Sequence, residues 1–375
     1  MIELHNREGA ERALPFLSHP QQLVDFVAPL HGVNVADIAA VSRRYPFKIP
    51  PFYARLIDWS NPFCPIGLQA LPTVHELTDG HTLDPLDEES IQVTPSFLKR
   101  YPKRGVFWVS GQCAMYCRFC NRRRMVGKGW DPELSREETL DYLEGDGEIT
   151  EVILSGGDPM TLPASELGYI LEKLRGIPRI RTIRISSRLP VVYPMGVERD
   201  HLRAIKKASP IWFIVHINHP REITPEFLEV VTLLRESGAI LLSQTVLLRM
   251  VNDCSGILGK LFEQLIQAGV KPYYLFQLDD VAGTAHFKVK VHTGLSIIRQ
   301  LRREVSGLCM PHYALDITGG LGKVPIENQY IEGAGEDLEV KNLTGRVGVY
   351  RDTGRASTCV SCGICGKVRK NRDCQ

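Results

Sequence analysis

The sequence predicts an α/β protein: a partial or complete β/α barrel, preceded by a helical N-terminal region and followed by a cysteine-rich tail. Two observations carry this. Short β-rich runs alternate with amphipathic helical stretches from about residue 105 onward, and polar or special residues collect just after those runs. The runs lie at 106–109, 152–154, 182–185, 212–215, 240–247, 273–276 and 313–315. Between them, Ser135-Arg136-Glu137-Glu138 reads as a capping box, and Thr224-Pro225-Glu226 as an N-cap followed by a first-turn proline. Strands separated by helices imply right-handed crossovers and a parallel sheet, with an open doubly wound sheet as the alternative. No glycine fingerprint of the dinucleotide type follows the first strand; cysteines stand there instead.

The 375 residues allow one large domain or two to three small ones. Residues 1–100 hold prolines from Pro15 to Pro95, helix-like pieces and no repeated strand signal, so they read as the helical region. Residues 101–318 read as the barrel, and 319–375 as a glycine-lysine loop with a cysteine-rich, metal-binding and oligomerisation segment. With 45 Lys and Arg against 43 Asp and Glu, the net charge of +2 is too small for an electrostatic nucleic-acid binder or a membrane-surface protein. The longest apolar stretches, near 105–109 and 239–248, fall far short of the roughly 20 residues that span a bilayer. The opening Met1-Ile2-Glu3-Leu4-His5 has an early acid and does not resemble a secretory signal, so a cytoplasmic location is expected. Ten cysteines in such a chain point to metal or redox chemistry rather than disulfides.

Three of them, Cys113, Cys117 and Cys120, follow the first strand in a C-x3-C-x2-C pattern. Three thiolates leave one iron of a [4Fe–4S] cube without a protein ligand, and an open iron can chelate a small molecule. A zinc knuckle short of one ligand, or three core cysteines, are the plainer alternatives. After the second strand comes Ser155-Gly156-Gly157-Asp158-Pro159, whose glycines let a ligand approach the backbone; a tight turn explains the segment equally well. Arg188, His216, Asn218, His219 and Gln244 also stand at strand ends.

After the last strand, Asp316 leads into Gly319, Gly320, Gly322 and Lys323. Val324 follows the lysine, which excludes the phosphate-loop spacing. A lysine on a glycine loop can form a Schiff base with pyridoxal phosphate if its amine deprotonates, although a solvated turn lysine is the plainer reading. Asp279 and Asp316 both follow late strands; two carboxylates in one confined site repel unless a cation joins them. Arg122, Arg123 and Arg124 read as a solvated basic turn unless one is recruited to a carboxylate. Cys359, Cys362, Cys365 and Cys374 suit structural zinc, with an auxiliary iron–sulfur cluster as the alternative, while Cys64 and Cys309 read as core residues.

The C-x3-C-x2-C pattern resembles the signature of the radical S-adenosylmethionine superfamily. Over residues 50–365 the chain is similar to the lysine 2,3-aminomutase family. The cysteine trio, Asn-Arg-Arg-Arg at 121–124, Ser-Gly-Gly-Asp-Pro at 155–159 and His-Ile-Asn-His-Pro at 216–220 carry this resemblance, with Val-Asn-Asp-Cys at 251–254, Pro-Tyr-Tyr at 272–274 and the Lys323 loop. It implies a [4Fe–4S] cluster whose open iron binds S-adenosylmethionine and yields a 5′-deoxyadenosyl radical after one-electron reduction, drawing on a donor such as flavodoxin or ferredoxin. It implies roles for individual residues: Ser155, Gly156, Gly157 and Asp158 toward the amino group of S-adenosylmethionine, Gln244 near its nucleoside, Lys323 as the carrier of pyridoxal phosphate, and Arg104 at that cofactor's phosphate.

In the same way Arg122 would take the substrate's α-carboxylate, while Asp279 and Asp316 would take the ε-ammonium of lysine; relatives acting on glutamate replace these aspartates. The implied activity is that of an isomerase moving the α-amino group of lysine to C3 to give β-lysine. Arginine or another amino acid is an alternative substrate, as is a protein-bound lysine, and a noncatalytic metal scaffold is the reading from another class. The family's tail binds zinc with a cysteine from a neighbouring subunit, matched here by Cys254, which implies a dimer or tetramer. This tail departs from the family in its C-x2-C-x2-C spacing and in the extra Cys374.

Overall fold

Apolar residues at every second position drive most of the strands, and apolar residues at three- and four-residue spacing drive the helices that cover them. The structure, a computed structural model, describes residues 15–26, 34–78, 82–127, 131–327, 329–332 and 337–351. Cys359, Cys362, Cys365 and Cys374 lie outside the described residues.

One ten-stranded sheet runs in chain order: β1 (Gln92–Thr94), β2 (Phe97–Tyr101), β3 (Arg104–Ser110), β4 (Glu151–Gly156), β5 (Thr182–Ser187), β6 (Ile211–His216), β7 (Ala239–Leu247), β8 (Lys271–Gln277), β9 (His312–Ile317) and β10 (Gly322–Pro325). β3 to β9 are parallel; β1 and β2 add antiparallel at one edge and β10 at the other. All seven runs expected from the sequence are strands. The crossovers are α1 (Arg136–Gly145), α2 (Ala164–Gly176), α3 (Arg199–Lys207), α4 (Pro225–Glu236), α5 (Ser255–Gln267) and α6 (Val291–Glu304). Leu167, Ile170, Leu171 and Leu174 of α2 are buried, as are Phe227, Val230, Val231 and Leu234 of α4, at the i, i+3, i+4, i+7 spacing of a core-facing stripe. Each such side chain contributes roughly 1.5–3 kcal/mol by leaving water.

Within the parallel strands, Val152 and Leu154, Ile183 and Ile185, and Phe213 and Val215 belong to the main hydrophobic core. The intervening residues Ile153 and Ser155, Arg184 and Ser186, and Ile214 and His216 line a cavity instead. Period-two alternation therefore assigns one face of the sheet to the core and the other to the site. Backbone pairing does not join β1 to β10 among the described residues. The two ends meet through a side chain, because the Lys323 N–H donates to the Tyr101 hydroxyl over 3.0 Å.

The N-terminal region does contain helices, at Pro20–Phe26, Val35–Arg44, Pro51–Arg55 and Pro65–Ala70, but its last residues form β1 and β2. Strands of 3 and 5 residues offer too few alternations to stand out in a proline-rich stretch. The chain divides into two units, residues 1–327 and 328–375. Lys323 belongs to the first, because β10 pairs with β9 and sets Lys323 opposite Asp316; packing therefore does not break at the expected 318/319 boundary. The described part of the second unit is an antiparallel sheet of β11 (Ile331–Glu332), β12 (Asp337–Lys341) and β13 (Val347–Arg351). Among the described residues no helix is long and apolar enough to cross a membrane.

Candidate active site

The carboxyl ends of the parallel strands open on a cavity of about 360 Å³, where a barrel concentrates its chemistry. Cys113, Cys117 and Cys120 line it from the loop after β3, Ser155 to Asp158 from the end of β4, Arg188 from β5, His216 from β6 and Gln244 from β7. Asp279, Asp316 and Lys323 close it on the far side. Among the described residues, the sequence-predicted site residues thus converge on this cavity, apart from Arg104, Asn218, His219 and Cys254.

Burial pushes all three thiols up, Cys120 to about 11. Among the described residues no trio of His, Cys, Asp or Glu converges on a point that could hold a single metal ion. The three thiols line the same cavity, and as ligands they would leave one iron of a [4Fe–4S] cube open toward it. Cationic side chains surround the loop. Arg188 donates to the Cys117 sulfur, while Arg118, between Cys117 and Cys120, is fully buried against Glu76 with Nε–Oε1 at 3.0 Å and further bonds to the Pro46 and Tyr45 carbonyls.

Arg123 and Arg124 correct the reading of a solvated turn. Arg123 is buried on Glu76 and on the Gly283 carbonyl, and Arg124 on Asp84 and Glu88. Glu88 holds Arg122 through Oε1, which accepts from Nε at 2.9 Å and from Nη2 at 2.8 Å, while Nη1 donates to the Ser155 hydroxyl at 2.8 Å. Glu76 and Glu88 come from the N-terminal region; Glu76 closes a Thr-x-x-Glu capping box begun by Thr73, a local signal that does not point to the arginines, and no spacing motif marks Glu88.

The Gly-Gly turn has a structural job. Gly156 sits at φ +118, and a Cβ on Gly157 would stand 2.2 Å from the Gln112 carbonyl oxygen. The N–H groups of Gly157 and Asp158 donate to the Ser110 and Gln112 carbonyls at 2.6 and 2.7 Å. These two amides are spent on the root of the cysteine loop. The Asp158 carboxylate is likewise committed, accepting from the amides of Met160, Arg188 and Leu189. His216 is driven down to about 3 by burial and by the Arg188 charge, so it stays neutral, and its buried Nε2 has no partner among the described residues.

Across the cavity, Lys323 Nζ lies 3.1 Å from Asp316 Oδ2 and 3.8 Å from the centre of the Phe276 ring. Asp279 accepts from the Asn121 side-chain amide at 2.9 Å. Burial, with Asp316 nearby, raises Asp279 to about 6, against the opposing pull of Asn121 and Lys323. A second cavity, of about 200 Å³, adjoins Lys323 and is lined by Arg100, Tyr101, Arg104 and Arg184. The Arg104 guanidinium lies 4.0 Å above the Tyr101 ring, and the buried Arg100 Nη1 has no partner among the described residues. Sequence reasoning found Arg104 and missed Arg100. The usable signal was the turn at 102–103, whose register sets Tyr101 opposite Arg104 and so brings two arginines to one hairpin.

Residues 109–256 match the family model described as the Radical SAM superfamily. With the parallel barrel and the cysteine trio at its mouth, this makes the chain a radical S-adenosylmethionine enzyme, a class that works with a [4Fe–4S] cluster and S-adenosylmethionine. Over 91% of its length the chain is 35% identical to the L-lysine 2,3-aminomutase of Clostridium subterminale, covering 83% of that protein. It is 40% identical over 82% to the putative L-lysine 2,3-aminomutase of Aquifex aeolicus, covering 85% of it, and 37% identical over 83% to the glutamate 2,3-aminomutase of Clostridioides difficile, covering 74%. The chain belongs to the lysine 2,3-aminomutase family, a family of isomerases.

Proposed function

We propose that this protein is a pyridoxal phosphate-dependent 2,3-aminomutase that moves the α-amino group of L-lysine to C3, giving β-lysine. The observation that carries the reading is the placement of Lys323, Asp316 and Asp279 on the same cavity as the three cysteines. Lys323 would hold pyridoxal phosphate, with the phosphate drawn to Arg104 and to the unspent Nη1 of Arg100 in the adjoining cavity. When bound, that cofactor supplies a conjugated π-system able to delocalise an unpaired electron beside the migrating nitrogen.

The remaining work falls to the chain's own side chains. Lys323 neutralises Asp316 in the free protein. Once that amine is engaged, two carboxylates face a guest that must bring a positive charge. The ε-ammonium of lysine meets this need, whereas a substrate with an anionic side chain would add a third negative charge. Arg122, oriented by Glu88, offers Nη1 toward the cavity for an α-carboxylate. Phe119, Ile153, Ile214, Val246 and Phe276 supply apolar wall that excludes water from a radical centre. Gln244 and the Ser155–Asp158 segment would position S-adenosylmethionine at the cysteine end. A one-electron donor of the flavodoxin or ferredoxin kind belongs to the proposal, as does a homo-oligomer held by zinc on Cys254, Cys359, Cys362 and Cys365. Exposure of Cys254 is the structural support for the last point.

The test is anaerobic reconstitution with iron, sulfide, pyridoxal phosphate, S-adenosylmethionine and dithionite, followed by a screen of lysine, arginine and glutamate for β-amino products. Lysine is expected to give β-lysine, and Lys323→Ala is expected to lose both turnover and the absorbance of the bound pyridoxal. A preference for glutamate, or pyridoxal absorbance unchanged in Lys323→Ala, overturns the reading.

A further inference from the structure

We propose that Arg188 is a positioning residue for the iron–sulfur cluster, holding Cys117 by a hydrogen bond and raising the reduction potential of the centre that Cys117 ligates. The proposal rests on a cluster at the cysteine trio and is independent of the substrate.

Arg188 follows the last residue of β5, 71 residues from Cys117 in sequence, so no spacing motif links the two. Its backbone N–H is pinned by Asp158 Oδ2 at 2.8 Å. Its guanidinium is buried, with Nη2 donating to Gln69 Oε1 and Glu222 Oε1 at 2.7 Å each. Glu222 is itself immobilised: Tyr53 donates to Oε1 at 2.7 Å, and the amides of Asn218 and His219 donate to Oε2 at 2.7 and 2.8 Å. One edge of the guanidinium is therefore fixed by two groups remote in sequence, Gln69 and Glu222. The Nη1 donates to Cys117 Sγ at 2.9 Å, and the buried Nε has no partner among the described residues.

A cluster that accepts one electron places part of the added charge on its ligand sulfurs. A cation that donates an N–H to such a sulfur stabilises the reduced form more than the oxidised one, so the potential rises. The Arg188 cation bonds the Cys117 sulfur directly, whereas the Glu222 carboxylate is joined to it through the guanidinium, so the cation acts at contact distance. The anchoring also removes the freedom of Arg188 to follow a moving partner, which makes the effect a built-in property of the resting site.

The experiment is potentiometric titration of the reconstituted cluster, read by electron paramagnetic resonance, without S-adenosylmethionine and then with it. Iron per chain is measured in parallel. Three proteins are compared: the unmodified chain, Arg188→Lys, and the double variant Arg188→Gln with Glu222→Gln. The double variant removes the paired charges together, so no buried carboxylate is stranded, and Arg188→Lys keeps a cation opposite Glu222 should the double variant fold poorly.

The double variant is expected to bind the same iron but to show, at a fixed applied potential, a reduced-to-oxidised ratio about tenfold lower, a shift of about 59 mV for one electron. Arg188→Lys is expected between the two. A potential unchanged in both variants without S-adenosylmethionine overturns the proposal. So does an unchanged potential accompanied by weaker S-adenosylmethionine binding, since Arg188 would then serve the carboxylate of that cofactor and not the sulfur. Absence of iron from the unmodified chain would instead remove the cluster itself.

Discussion

Asp279 shows how one buried carboxyl ties stability to substrate charge. Burial and Asp316 raise it to about 6 from an ordinary 3.8, so between about pH 4 and 6 the folded protein keeps a proton that the unfolded chain has lost. Its contribution is therefore intact below about pH 4 and falls away as pH rises through that window, by about 3 kcal/mol in total. Asp279→Asn is expected to raise the melting temperature of the cofactor-free protein at pH 7, with the advantage vanishing near pH 4. The same substitution should raise the KM for lysine at least tenfold and abolish an acidic limb in kcat/KM near pH 6. A melting difference independent of pH would contradict the assignment. Asp279 itself was legible in the sequence, because acids after late strands can share a barrel mouth. Asn121 stood out only as part of a motif, and its bond to Asp279 was not legible until the fold brought the 158-residue separation down to 2.9 Å.

Secondary-structure elements make the site by constraining one another's loops. The turn after β4 lies against the root of the cysteine loop, and Gly157 is there because any Cβ would meet the Gln112 carbonyl. Gly157→Ala is expected to leave the circular dichroism of the fold unchanged while cutting iron incorporation several-fold, since the loop must shift to admit a methyl group. Retention of full iron content would show that the loop yields at little cost. In the sequence the glycine pair suggested ligand access. The structure shows the amides of Gly157 and of the following Asp158 holding the loop in place, a role invisible until β3 and β4 are known to be neighbours. The strands themselves were readable from period-two runs, while β1 and β2 were too short to register.

The N-terminal region and the barrel depend on each other through buried charge. Glu76 neutralises Arg118 and Arg123, and Glu88 serves Arg122 and Arg124, so four arginines around the cysteine loop draw their partners from a region that looked like a separate helical lead-in. Removing one partner of such a buried pair typically costs about 3–5 kcal/mol, because the remaining charge has no water to turn to. Glu76→Ala is expected to lower stability in urea by that order and to lose iron at a lower denaturant concentration than the unmodified chain. Loss of the helical lead-in alone, with barrel and cluster untouched, would contradict the dependence.

Local chemistry was open to reading from the amino-acid order: the cysteine trio, the lysine on its glycine loop, the acid pair and the alternating strands each lie within a few residues or repeat at a fixed period. What the order could not show was which charges neutralise which. That outcome belongs to the folded chain, where Glu76, Glu88 and Glu222 reach arginines 34 to 47 residues away. Ion pairs have no preferred sequence separation. They are selected by the low-dielectric interior that the completed fold creates, in which an unpaired charge is costly.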